Sequence, residues 1–303
     1  MEMKKFIRLL FKFSLIIIAL NTVIFIVKEL TFRPYYLHST KYKSYLLSDS
    51  HGYKLYDLTE KMGVANFSFH SESYLDIYRK LMYLTSRNKT DTLYISVDDH
   101  TLSPYREISN NDYKSIKYNF TQGSYNYLDY AIFKMQYYIV IFDPNIRAII
   151  THFIGAQVKK LFSLADNKKI KTNKASWSSL SRATKLKLAE ARVKEQFPSD
   201  TSSKKLEKSL LDIINLCKQK NIKLIGIKFP LSGEFLEILG NKSYKADSIL
   251  ISQGIEVWDF KNTFSNIGNY YEDPDHVNPE GANVLIDSLS RRAGIKNRKL
   301  LHN

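Results

Sequence analysis

Hydrophobic and polar positions divide the chain into an opening stretch that is apolar on every face and a long remainder in which short apolar runs alternate with helical patterns. The opening stretch, FSLIIIALNTVIFIV from Phe13 to Val27, has Asn21 as its one strongly polar member. Counting back through Leu9, Leu10 and Phe11, with Lys12 snorkelling, gives about 19 residues, enough to cross a hydrocarbon core. From Tyr45 onward YLLSDS, VANFSF, TLYISVDD, KLIGIKF and IEVWDF read as strands. A helix from Tyr53 to about Lys61 is expected after the first of them. YLDIYRKLMYL reads as an amphipathic helix with Leu75, Tyr78, Leu81 and Met82 on one face, and KKLEKSLLDIINLCKQKN as another. NPEGANVLIDSLSRRAG reads as a terminal helix, with Asn278 as N-cap and Pro279 in the first turn. This alternation predicts an α/β domain with a mainly parallel sheet flanked by helices.

The expected organisation is a basic flank and transmembrane anchor over residues 1–30, followed by one extracytoplasmic domain over 31–303. Lys4, Lys5, Arg8 and Lys12 precede the apolar stretch and face only Glu2, so the N-terminus is expected in the cytoplasm. A cleaved signal peptide shares the basic start and apolar middle. It needs small residues at a cleavage site, and KELTFRPYY offers none. Within the domain, residues from about 105 to 200 depart from the strand and helix alternation and read as an insertion of helices and loops, forming a cap or partner surface. The insertion contains YYIVIFDPNIRAIITHFIGAQVKKLF and then a polar section rich in Lys and Ser. Asp143, Pro144 and Arg147 argue against a second membrane pass there.

Composition narrows the partners. The 303 residues carry a net charge of +15, with 21 Tyr and 17 Phe. The charge is scattered and no nucleic-acid-binding motif accompanies it, so nucleic acid is not an expected partner. It fits a Lys-rich soluble surface, or attraction to anionic lipid headgroups or acidic polysaccharide. The single cysteine, Cys217, excludes an intramolecular disulfide and lies at helical spacing from Leu210, Ile213 and Ile214, as a buried structural thiol would. No cofactor is expected.

Two short segments carry candidate chemistry. SDSHG, Ser48 to Gly52, falls where a predicted strand gives way to a predicted helix. A serine there is exposed at the sheet's C-terminal edge beside the N–H groups of a helix start, a setting that favours an anionic transition state. The same residues are also ordinary turn and N-cap residues. Asp273-Pro274-Asp275-His276 precedes the last helix. An Asp three residues before a His can accept from one ring nitrogen and leave the other to take a proton from a serine. A solvated acidic turn and a single-metal site are the other readings of that segment.

Taken together, these blocks resemble the SGNH (GDSL-like) superfamily of serine esterases and acyltransferases. Its first motif, Gly-Asp-Ser after the first strand, matches at Asp49 and Ser50, with Ser48 in place of the glycine. Its last, Asp-x-x-His, matches at Asp273 and His276. The resemblance implies a three-layer, flavodoxin-like α/β fold, Ser50 as nucleophile, His276 as base and Asp273 as its orienting acid. The middle motifs supply the family's oxyanion hole and match more loosely. The family's glycine falls at Ser71, whose backbone N–H would be the donor, and its asparagine falls at or next to His100, whose ring N–H would replace it, alongside the N–H of Ser50. Asp98 and Asp99 read as turn residues or as partners of His100.

An outward-facing domain of this family on one N-terminal anchor is similar to proteins that O-acetylate secreted or cell-wall polysaccharides with a multi-span membrane acyltransferase as partner. The expected function is therefore acyl transfer to an exopolysaccharide or envelope glycan. An esterase or deacetylase with water as acceptor is the second reading. A non-catalytic glycan-binding or assembly subunit is the third.

Overall fold

A computed structural model of the chain describes residues 2–87, 89–121, 127–143, 146–147, 149–151, 153–155, 158 and 176–295. The chain divides into two compact units, Met1–Leu37 with Asn119–Asn173 and His38–Tyr118 with Lys174–Asn303. The predicted insertion is thus shared. Its two ends belong to the unit that holds the sheet, and its middle groups with the N-terminal segment. Pro144 and residues 159–175, which include the first part of the Lys- and Ser-rich section, lie outside the described residues.

In the first unit the apolar start forms one continuous helix, α1 (Glu2–Tyr36), longer than the segment of about 30 residues expected for it. From Met3 to Tyr36 it is long and apolar enough to cross a membrane. The second unit is α/β. Its described strands, β1 (Ser44–Leu47), β2 (Val64–Asn66), β3 (Thr92–Ser96), β4 (Lys223–Lys228) and β5 (Glu256–Asp259), form a five-stranded, all-parallel sheet in the order β2-β1-β3-β4-β5. β2 to β5 lie inside the runs expected from sequence, and β1 begins one residue before its run, at Ser44.

The direction of winding reverses between β1 and β3. Right-handed crossovers then place helices on both faces. On one face Leu46, Tyr94, Ile225, Ile227 and Trp258 from the strands pack with the terminal helix through Leu285, Ile286 and Leu289. The other face takes the crossover helices after β2 and β3. These are Tyr74–Arg87 and Lys204–Gln219, which pack together and bury Ile77, Leu81 and Leu84 on one and Leu210, Ile213, Ile214 and Cys217 on the other. Burial pushes the Cys217 thiol up to about 12, as an inert packing residue requires.

The helix expected from Tyr53 to Lys61 is the one element that differs in kind. The chain makes a single α turn, α2 (Ser50–Tyr53), and then a 3-10 helix over Tyr56–Met62. Tyr56 has φ 47° and so breaks the α ladder. Asn66 compensates by donating from Nδ2 to the carbonyls of Gly52 at 2.8 Å and Tyr56 at 3.0 Å. With the other helices of this unit numbered on from α2 as α3 (Tyr74–Arg87), α4 (Pro104–Ile108) and α5 (Asp112–Ser115), the first unit contributes α6 (Tyr127–Tyr138). The sheet unit then resumes with α7 (Arg182–Gln196), α8 (Lys204–Gln219), α9 (Gly233–Leu239), α10 (Ala246–Ser252) and α11 (Pro279–Arg292).

The start of α11 is fixed by a close approach. Asn278 caps it by accepting from the N–H of Gly281 at 3.0 Å, and a Cβ on Gly281 would stand 2.4 Å from the carbonyl oxygen of Tyr270. Gly281→Ala is therefore expected to lower stability by about 1–3 kcal/mol, the usual cost of overpacking. A fall in the urea midpoint of the full chain in detergent, with an unchanged slope, would register it. An unchanged midpoint would mean that the Tyr270 backbone yields freely.

Candidate active site

Ser50 stands where the first strand turns into α2. Asp49 caps that turn, its Oδ1 accepting from the N–H of His51 at 3.0 Å. The turn is tight because Gly52 has no side chain. A Cβ there would lie 2.5 Å from Ser48 Cβ and 2.9 Å from Ser68 Oγ. The N–H of Ser50 is one of the first-turn groups a helix cannot satisfy internally, so the fold presents hydroxyl and donor together at the C-terminal edge of the sheet. In doubly wound sheets, ligands bind at this edge beside the switch point.

His276 reaches Ser50 from the other end of the sequence, with Nε2 2.8 Å from Ser50 Oγ. Its Nδ1 faces both oxygens of Asp273, at 2.9 and 3.0 Å. The turn that carries it is over-determined. Asp273 Oδ1 also accepts from the N–H groups of Asp275 and His276, and the hydroxyl of Ser232 donates to the Pro274 carbonyl at 2.8 Å. The structure thus brings Ser50, His276 and Asp273 together in the order of a nucleophile, a base and an orienting acid.

A second carboxylate, which sequence reasoning treated only as part of the turn, stands beside the first. Asp275 Oδ1 is 3.3 Å from His276 Nδ1, and its side chain is 2% exposed against 42% for Asp273. Its other oxygen accepts from Arg192 Nε at 2.9 Å and Gln196 Nε2 at 2.7 Å, both from α7. That helix is docked by Ala189 and Val193 against Leu231 and by Phe235 and Leu239 of α9. The same oxygen of Asp275 lies 3.7 Å from Nε2 of a second buried histidine, His51. This is an ion-pair contact too long for a hydrogen bond.

His51 completes a charged cluster beneath Ser50. Its Nδ1 is 2.8 Å from Asp98 Oδ2, and Asp49 Oδ1 lies 3.9 Å from the same nitrogen. Burial disfavours charge on His51, but Asp49 and Asp98 overcome it and hold the pKa well above the usual histidine range. Burial likewise opposes ionisation of Asp49 and Asp275. The cations around them prevail, His51 and Arg106 for the first and chiefly His276 for the second, holding both carboxyls well below the usual range. For His276 itself burial lowers the pKa, while Asp275, Asp273 and their hydrogen bonds raise it to about 9.

The oxyanion candidates divide. Ser71 has φ 61°, the left-handed backbone that a glycine would adopt freely. The turn is held from outside, since Asn111 donates from Nδ2 to the His70 carbonyl at 2.6 Å. The serine therefore keeps the glycine conformation at some strain. His100 does not present Nε2 as a free donor, because that atom lies 3.2 Å from both Asp49 Oδ2 and Arg106 Nη2. Burial lowers its pKa, and a neutral ring can donate to the first or accept from the second. Its role here is within the Asp49 and Arg106 cluster. Of the two readings of the neighbouring acids, turn residues or partners of His100, the structure shows the first: they stand at the turn after β3, where Asp98 binds His51 and the N–H of Phe229, and Asp99 binds Lys228 and Lys261.

A cavity of about 660 Å³ opens beside His276, lined by Trp177, Leu180, Leu188, Arg192, Glu195 and Glu272 among others. Its lining combines apolar and charged side chains. Two groups of ligand-capable side chains lie within the cluster, His51 with Asp275 and His276, and Asp49 with His51 and Asp98. Each already engages protein partners, and His276 is turned to Ser50.

Asp275 is the larger charge acting on His276, so Asp275→Asn should lower the His276 pKa from about 9 toward the ordinary histidine value. Imidazole carbon–proton NMR shifts followed from pH 5 to 10 in labelled protein, a range spanning both values, would show it. An unmoved titration would assign the shift to Asp273.

No protein-family model matches this chain and no curated protein matches it, so the identity of the site rests on the geometry of Ser50, His276, Asp273 and Asp275.

Proposed function

We propose that this chain is a membrane-anchored serine acyl-ester enzyme of SGNH type that transfers an acyl group, acetyl in the simplest case, to a hydroxyl of an extracytoplasmic glycan. The observation that carries the reading is the hydrogen bond of 2.8 Å between His276 Nε2 and Ser50 Oγ, with a carboxylate on the opposite ring nitrogen. In this reading α1 is the anchor, with its basic start in the cytoplasm and the sheet unit outside. The parallel sheet with its switch point beside Ser50 agrees with the superfamily's architecture.

In the mechanism Ser50 Oγ attacks the acyl carbonyl while its proton passes to His276 Nε2. The oxyanion is met by the N–H groups of Ser50 and Ser71. Collapse breaks the bond to the donor's alkoxy oxygen, which leaves with the proton from His276, and the acyl group remains on Ser50. An acceptor hydroxyl then attacks the acyl-enzyme, its proton going to His276, and collapse of that intermediate breaks the acyl bond to Ser50 Oγ, which takes the proton back from His276. The imidazolium formed in each half is stabilised by Asp273 and Asp275. The cavity beside His276 offers Trp177, Leu180 and Leu188 for the carbon face of a sugar ring and Arg192, Glu195 and Glu272 for its hydroxyls.

Ser50→Ala should abolish both labelling by a fluorophosphonate and turnover of an activated acetyl ester in the detergent-solubilised full chain, while the fold is kept. Labelling that survives would exclude Ser50 as the nucleophile. Because His276 must be neutral to accept a proton, kcat/KM should rise with pH through a limb near 9, and Asp275→Asn should move that limb toward acid. A limb at the ordinary histidine value in the parent protein would count against Asp275 as a charge partner in the working enzyme. Adding oligosaccharide should divert acetyl from water to sugar, read as O-acetylated product by mass spectrometry. Acetate release indifferent to sugar would make the protein an esterase, and glycan binding without any turnover would make it a binding subunit.

A further inference from the structure

The middle of the insertion uses none of the chemistry above, yet it makes specific polar contacts with α1. Asn21, the strongly polar residue of the apolar run, donates from Nδ2 to the carbonyl of Tyr138 at 2.8 Å, and its Oδ1 accepts from the N–H of Ile141 at 3.3 Å. These backbone groups lie where α6 ends and the chain passes through a 3-10 turn, Val140–Phe142. A helix end leaves such groups unsatisfied. In hydrocarbon, where no water can replace the missing partner, each costs several kcal/mol.

One helical turn and more along α1, the pattern repeats with charge. Lys28 and Asp143 form an ion pair at 3.5 Å, with side chains 0% and 6% exposed. Tyr137 donates to Glu29 at 2.7 Å, and its ring meets that of Phe25 edge-on with centroids 5.5 Å apart. Polar groups that face inward, pair with one another and satisfy backbone breaks are what a membrane interior demands of helices that meet there.

The outward faces complete the picture. In α6 the aliphatic residues Leu128, Ile132 and Met135 are exposed at helical spacings of four and three, with Tyr127 and Tyr138 exposed at its two ends. The described residues of 146–158 are helical, and there Ile150, Ile154 and Val158 are exposed at spacings of four. The inward positions Tyr137, Val140 and Ile149 are buried. Both stripes belong to the same compact unit as α1, in whose own apolar stretch most residues are exposed and none is fully buried. A helix of 12 residues such as α6 spans about 18 Å, less than a hydrocarbon core of about 30 Å, so it does not cross a bilayer by itself.

We propose that the described residues between Tyr127 and Val158 belong to a helix–break–helix element that is embedded in the same bilayer as α1, lying against its C-terminal half with Leu128, Ile132, Met135, Ile150, Ile154 and Val158 in contact with lipid. Asn21 lies about 9 Å from the Val27 end of the apolar run and Lys28 sits at its edge, so the break at 139–143 lies between those depths. The occupant of these stripes is lipid because they continue the exposed apolar surface of the anchor. The element turns the single helix into a broader foot in one leaflet.

The inference rests on α1 being in a membrane, and the test separates the two. Single cysteines replacing Leu15, Ile132, Ile154 and, as a control on the sheet unit, Ile251 would be spin-labelled in the full chain. The native Cys217 stays silent because it is buried. Each protein would be placed in vesicles of phosphatidylethanolamine and phosphatidylglycerol and its collisions with oxygen and a water-soluble nickel chelate compared. Labels at Ile132→Cys and Ile154→Cys should match Leu15→Cys, with an oxygen-to-nickel ratio several-fold above that at Ile251→Cys. A ratio equal to that at Ile251→Cys, beside a lipid-exposed Leu15→Cys, would overturn this element and leave the anchor standing. Low collision with both reagents would also overturn it, by showing protein in place of lipid. Water exposure at Leu15→Cys itself would remove both readings.

Discussion

The sheet unit depends on one buried cation. His51 sits where the chain leaves β1, and Asp49, Asp98 and Asp275 converge on it from the ends of β1 and β3 and from the turn before α11. Without a positive charge at that point, carboxylates from distant parts of the sequence would be held close together in a medium that screens them poorly. With it, the same carboxylates bind the C-terminal edge of the sheet to the turn that carries His276. Removing one partner of such a buried set commonly costs 3–5 kcal/mol, because the charge left behind has no water to turn to. His51 thus links the end of β3 to the turn that carries His276, at 2.8 Å from Asp98 and 3.7 Å from Asp275.

This arrangement also explains which parts were legible in the sequence. The strands and the amphipathic helices announce themselves by apolar spacing, and Ser50, Asp273 and His276 by local motifs at element boundaries. Asp275 has no such signal, because a carboxylate in an Asp-Pro-Asp turn looks the same whether it faces solvent or a buried imidazole. Arg192 and Gln196 are harder still. Their helix, RATKLKLAEARVKEQ, docks through little more than Ala189 and Val193, so its narrow apolar stripe reads as a polar linker. His51 follows Ser50 directly, and adjacent residues on a helix do not share a face. Nothing in the sequence brings its ring beneath the serine until the tight turn at Gly52 is known.

The turn at Ser71 shows the reverse case, where a residue departs from the pattern the chain resembles and the backbone does not. Ser71 departs from the family's glycine, but its backbone keeps the left-handed conformation, because Asn111 and the capping contacts of Asp76 with Ser73 hold the turn from outside. A non-glycine residue there costs on the order of 1 kcal/mol in local strain. Sequence can identify the substitution, and only the surrounding hydrogen bonds decide that the conformation survives it. At His100 the opposite holds: the residue type is suitable for donation, and its surroundings, Asp49 and Arg106, take the ring nitrogen for another purpose.

In the proposed reaction, a base held near pKa 9 is neutral in only about one molecule in a hundred at pH 7, a small population for taking a proton from serine. The same shift makes the neutral imidazole a stronger base when it forms, so part of the loss in population is recovered in the transfer step. The geometry favours this compromise because Asp275 is never left unpaired. When His276 gives up its proton, Arg192 and Gln196 still hold Asp275 Oδ2 and His51 remains at 3.7 Å. Proton movement between Ser50 and His276 therefore changes one charge in a cluster whose other charges stay compensated, and no buried carboxylate has to be desolvated anew in either half of the reaction.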